Sequence, residues 1–193
     1  MTLHDVPPAD LARARSDESH AKHPVTRVAG PYGHPFHPIL VTIPIGAWVA
    51  SLVFDILSRT ADDGGDFARG AYWLIAIGVV GALAAALFGL LDLLAIPRRT
   101  RAWRVGITHL CFNLLVVGMF VASFIWRADR DAYRETSAGL FVLSGAALLL
   151  LVVSGWLGGM LAYRYGVRVA DEEAQLSGYL HEPRTRDGRP SMN

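Results

Sequence analysis

The chain runs to 193 residues, room for one domain with tails, and its net charge of +1 offers no electrostatic footing for nucleic acid. One cysteine, Cys111, excludes both a disulfide framework and a cysteine-type zinc site within a single chain. Hydrophobic residues make up 52%, little more than a globular average, yet they are gathered into four blocks with nearly all the charge between them.

Residues 1–30 hold Pro7-Pro8, charges of both signs and few large apolar side chains. They read as a disordered arm with a short helix near Ala9–Arg15, and not as a cleavable signal peptide. His20 and His23, without a scaffold there, read as solvated. Next comes Gly33-His34-Pro35-Phe36-His37-Pro38, in which each histidine precedes a proline. A residue before proline is driven toward extended or polyproline-II backbone. In that geometry His34 and His37 share a face, about 9 Å apart along the axis. Pro38 suits the first position of the helix that follows.

The first span is expected over 39–57, close to the ~20 residues a bilayer core requires. Pro44 should kink it and free a carbonyl near the histidine end. Asp55, at the far end, reads as a capping, paired or surface-seeking carboxylate. After a polar loop at 58–70, the second span is expected over 71–96 and ends at Pro97. Gly78, Gly81, Ala82, Ala85 and Gly89 form a stripe of small residues at helical spacing, the pattern of a face approached closely by another helix. Asp92 continues that stripe and so faces the bundle.

Arg98, Arg99, Arg101 and Arg104 make a compact basic loop. A third span over 105–126 places His109 and Asn113 one turn apart on one face. A polar loop, 127–135, leads to a fourth span over 137–163, whose Gly155-Trp156-Leu157-Gly158-Gly159 run again suggests close packing. Trp73, Trp103, Trp126, Tyr133 and Tyr163 fall near span ends, as interfacial aromatics do. Residues 169–193 read as a disordered charged tail. The expected fold is therefore an all-α, integral-membrane four-helix bundle over 31–168, with short loops and disordered polar termini.

The arm, the basic loop and the tail carry 13 of the 18 Lys and Arg residues and fall on one side of a four-span chain. The positive-inside rule puts that side, and both termini, in the cytoplasm. His34 and His37 then stand at the cytoplasmic start of the first span, Asp92 near the cytoplasmic end of the second, and His109 near the cytoplasmic start of the third. A short hairpin joins the second and third spans, so Asp92 can face His109. Ionisable groups inside a span are costly and mark functional candidates.

Three chemistries suit this set. Histidines with a carboxylate can ligate a transition metal, His34, His37, His109 and Asp92 being the candidate ligands and Asp92 alternatively an orienter. Histidines of different helices, here His37 and His109 with His34 in reserve, can hold haem b. Asp92 and His109 can also relay protons. Against these stands a plain alternative, in which the histidines are wet residues at headgroup level and His109 with Asp92 merely locks two helices. No GxSxG elbow, HExxH helix or phosphate-cradling loop occurs, which argues against a soluble-type enzyme.

The stretch Gly33–Val41, Gly89-Leu90-Leu91-Asp92 with Ile96-Pro97, His109 with Asn113, and Ser154–Gly159 through Tyr163–Val167 resembles the domain-of-unknown-function 2231 family, over roughly residues 30–170. That resemblance implies a four-span bacterial inner-membrane protein of unassigned activity. Some relatives are joined to a Rieske iron–sulfur domain, which implies electron transfer. This chain has no Cys and His ligands for such a cluster, so a redox role implies a separate partner protein or a homo-oligomer beside the lipid bilayer.

Overall fold

The computed structural model describes residues 6–129 and 135–179. Its elements are α1 (Pro8–Lys22), a 3-10 turn at Arg27–Ala29, α2 (Phe36–Leu40), α3 (Thr42–Thr60), α4 (Gly64–Leu94), α5 (Arg101–Asp129), α6 (Ala138–Gly159), a π turn at Met160–Arg164, and α7 (Glu172–Ser177). Among the described residues, four stretches are long and apolar enough to cross a membrane: Phe36–Thr60, Gly64–Leu94, Arg101–Ala128 and Ala138–Arg164. Each packs on its neighbour in sequence, and α6 closes the ring against α3. Among the described residues there are helices and no strands, as expected of an all-α bundle.

The middle of the bundle is apolar. Trp48 of α3 stacks on Phe120 of α5, centroids 4.2 Å apart, with Ile75, Val116 and Ala147 filling the space around them. Outward, Val80, Leu87, Leu149 and Val152 stay exposed, a lipid-facing belt of the kind a spanning bundle presents. The small-residue stripe of α4 does what its spacing predicted. A Cβ on Gly78 would collide with the Trp48 indole, one on Gly81 with Ile43, and one on Gly89 with the His37 ring. We expect Gly78→Ala to destabilise the protein by about 1–3 kcal/mol through overpacking against a stacked indole. Gly118→Ala, with nothing within 4 Å of the added methyl, should be neutral or stabilising. Thermal unfolding of the two variants side by side checks both.

The first span begins earlier than expected and is broken. Pro35, at φ −70° and ψ 139°, holds the N-cap position of α2, and Pro38 falls inside its first turn. The first four N–H groups of a helix have no partner in it, so a proline there loses no bond. His37 therefore rides on a helix, and the shared polyproline face expected for His34 and His37 is not formed: His34 is exposed and His37 half-buried. In place of a kink at Pro44, α2 gives way to α3 at Val41, three residues earlier, where the backbone keeps helical angles. Pro44 offers no N–H to the Leu40 carbonyl, where α2 stops. Thr42 Oγ1 donates instead to the Ile39 carbonyl at 2.7 Å.

The arm carries more structure than the expected short helix. α1 packs Ala21 against Ile96 and Val167, and Ala29 is fully buried. These small residues let the arm lie flat on the end of the bundle. Part of the tail is ordered with it: Asp171 caps α7 through the Ala174 N–H, and its own N–H donates to Tyr32 Oη at 2.7 Å. The Ala174 N–H, and after it the Tyr32 hydroxyl, hold the Asp171 carboxyl below its usual range. The Glu18 carboxylate, at 3.0 Å, raises Lys22 beside it, as Asp171 and Tyr32 do more weakly. The rest of the tail, 180–193, and Tyr133 with its loop lie outside the described residues.

Candidate functional site

Two buried polar clusters lie at opposite ends of the bundle, separated by the Trp48–Phe120 layer. The first is at the end that carries both termini. α2 lays His37 across Gly89, whose lack of a side chain makes room for the ring. His37 Nδ1 donates to the Ala85 carbonyl at 2.9 Å. On the opposite wall, α5 lays His109 against Gly158 of α6, and its Nδ1 donates to the Ser154 carbonyl at 2.8 Å. A carbonyl only accepts, so both rings carry a proton on Nδ1. Asn113 Nδ2 donates to His109 Nε2 at 3.1 Å and to the His109 carbonyl at 2.9 Å. The two rings stand 6.4 Å apart, centroid to centroid, and nearly perpendicular.

Asp92 is buried as its place in the stripe predicted, but its partner is not His109. Arg168, beyond the fourth span, reaches back into the bundle end and sets Nε 2.8 Å from Asp92 Oδ1, with the Arg168 side chain 3% exposed. The N–H direction misses the oxygen, so the link is electrostatic more than a hydrogen bond. Arg168 Nη2 also donates to the Ala29 and Gly30 carbonyls at 3.1 and 3.0 Å, and its backbone N–H to Ala21. Its φ of 59° and the 67° of Gly166 make the reversal that turns the chain back. Asp92 follows Gly89, against which the His37 ring packs, by one helical turn. Of the four predicted site residues, the structure thus brings His37 and His109 together, keeps Asp92 nearby in an ion pair, and leaves His34 outside. Among the described residues no three His, Cys, Asp or Glu side chains gather around one point.

The second cluster was expected only in part. Arg127, assigned to a polar loop by sequence, is in α5 and 4% exposed. It makes a bidentate pair with Asp55, Nη1–Oδ1 at 2.8 Å and Nη2–Oδ2 at 2.7 Å. Thr136 Oγ1 donates to Asp55 Oδ1 at 2.9 Å, Arg127 Nε donates to Ser123 Oγ at 3.2 Å, and Arg59 donates to the Thr136 carbonyl at 2.6 Å. The available signal was the helical spacing of Ser123 and Arg127, which continues the face of Phe120 and Val116. Every hydrogen-bonding group of the Asp55 carboxylate is thereby matched, the mark of a structural clamp.

No curated protein and no solved structure matches the chain significantly. Residues 33–171, from the glycine before His34 to the cap of α7, match the family described as predicted membrane protein, DUF2231, and the chain belongs to that family.

Proposed function

We propose that this multi-pass membrane protein holds a redox group between His37 and His109, with haem b the group that suits the site best and a transition-metal ion the variant. The observation that carries the reading is the matched pair of imidazoles. Each has Nδ1 tied to a backbone carbonyl, the arrangement that fixes tautomer and ring angle in metal-ligating histidines. With 6.4 Å between their centroids, the two rings could both reach one bound group. Among the described residues no third His, Cys, Asp or Glu joins the pair, so haem, which two histidines could hold, suits it better than an ion enclosed by protein. When bound, the iron would supply one-electron transfer. The chain's part is to orient both rings and, at Asn113, to release Nε2 of His109 while keeping its bond to the carbonyl.

Proton transport through Asp92 and His109 is less well supported. The Trp48, Ile75, Val116, Phe120 and Ala147 layer separates the two polar clusters and provides no relay between them. By the positive-inside rule we place the site on the cytoplasmic side of a bacterial inner membrane, which fits delivery of electrons to or from a separate redox partner.

The test is the absorption spectrum and metal content of detergent-purified protein from cells supplied with haem precursor and transition metals. A Soret band or stoichiometric metal is expected, lost in both His37→Ala and His109→Ala and retained in His34→Ala. Absence of both signals would end the proposal. If His109→Ala instead lowers thermal stability and changes no bound species, the pair serves helix packing alone.

A further inference from the structure

We infer that the loop between α4 and α5 is a binding site for anionic phospholipid headgroups. The loop joins two spans, so it lies at the membrane surface. Arg98, Arg99, Arg101 and Arg104 are all exposed there, and Arg164 is exposed on the π turn that packs beside α5. Among the described residues none of the five makes an ion pair, and the first turn of α5 carries no acidic residue.

The opposite end of the bundle is unlike this. There Arg127 is neutralised by Asp55, and Arg59 sits 3.8 Å from Glu135. The exposed arginines of the loop thus lack the acidic partners that Arg127 and Arg59 have, and a guanidinium matches a phosphate oxygen pair in shape as well as charge. The platform beneath the loop is rigid. Trp103 and Ala102 pack with Leu93, Ile96, Leu161 and Tyr165 on the cluster that docks the arm. Thr100 Oγ1 donates to the Pro97 carbonyl at 2.8 Å and accepts from the Trp103 N–H at 3.0 Å, which sets the turn where Arg99 takes a φ of 68°. Guanidinium groups carried on a fixed turn at headgroup depth fit a phosphate-bearing acidic lipid of the surrounding bilayer.

The full-length protein in neutral detergent is titrated with phosphatidylglycerol, phosphatidylcholine and inorganic phosphate. Thermal unfolding is followed, and retained lipid is counted by native mass spectrometry. Phosphatidylglycerol is expected to raise the melting temperature by several degrees and stay bound, and the other two to do neither. The R98Q/R99Q/R101Q/R104Q variant should bind it about tenfold more weakly or worse. Equal stabilisation by phosphatidylcholine would reduce the effect to general lipid solvation, and equal stabilisation by phosphate would make the loop a free-anion site. An undiminished response in the glutamine variant would place the lipid elsewhere. Should that variant not fold, a salt series on the unaltered protein decides. A response that survives about 1 M salt, where charges are screened beyond about 3 Å, overturns the inference.

Discussion

Replacing Asp55 with alanine is expected to be among the most damaging single changes in the protein. It leaves the Arg127 guanidinium buried without a counter-charge, and breaking a buried pair from one side costs about 3–5 kcal/mol. For a chain of this size that is a drop of roughly 10 °C in melting temperature. The pair ties α3 to α5 diagonally across the bundle and holds Thr136 at the start of α6, so three spans loosen together. Arg127→Met alone should be comparably harmful, since it strands the carboxylate. The double variant Asp55→Leu with Arg127→Met removes both charges and should recover most of the loss. Thermal unfolding of the two single variants and the double one gives the coupling directly. Additive losses would show that the pair is not a unit.

The second large effect is expected at Arg168. One guanidinium there neutralises Asp92 and satisfies two carbonyls of the arm, so Arg168→Ala opens a charge, two acceptors and a cavity at once. A loss of about 3 kcal/mol is expected, the low end for a broken buried pair, because Asp92 lies near the surface and water can reach it. The change should also be local. Hydrogen exchange should quicken over residues 21–30 and at the bundle end of the tail, while the Trp48–Phe120 layer keeps its protection. Adding Asp92→Asn to Arg168→Ala should restore part of the stability but not the docking of the arm. Uniform loss of protection across all four spans would contradict the picture of Arg168 as a fastening for the two terminal segments.

Much of this organisation was legible in the residues, and the legible part has a common cause. Lipid imposes a strong rule on sequence, so four apolar blocks gave four spans, and the glycines of α4 gave the face that receives Trp48, Ile43 and His37. Helical spacing likewise put Asn113 against His109 and turned Asp92 inward. What failed depended on partners remote in sequence. Nothing local to Arg168 distinguishes a buried arginine from a solvated one, and at Arg127 the one local cue is its helical spacing from Ser123. Both look like loop charges until the fold brings Asp92 and Asp55 to them. His37 was misplaced for a different reason. Proline preference alone argues for extended backbone at His-Pro, but in the first turn of a helix the missing N–H carries no penalty, and the following apolar residues favour the helix. The helix expected near Ala9–Arg15 extends over Pro8–Lys22, a length hard to read from residues with almost no amphipathic pattern. It is held by small residues such as Ala21 and Ala29 fitting flush against the bundle.

The two ion pairs also impose an order on assembly. Asp55 belongs to the first span to be synthesised, yet its guanidinium arrives 72 residues later, with the third. Asp92 waits longer still, because Arg168 follows the fourth span. During insertion each acidic side chain enters a hydrocarbon setting before its counter-ion exists, so the early helices have reason to stay shallow or adjacent to the insertion machinery. Closure at one end comes with the third helix. The termini end, where His37 and His109 meet, can be sealed only once residue 168 has emerged, which makes the candidate site the last region of the molecule to reach its final form.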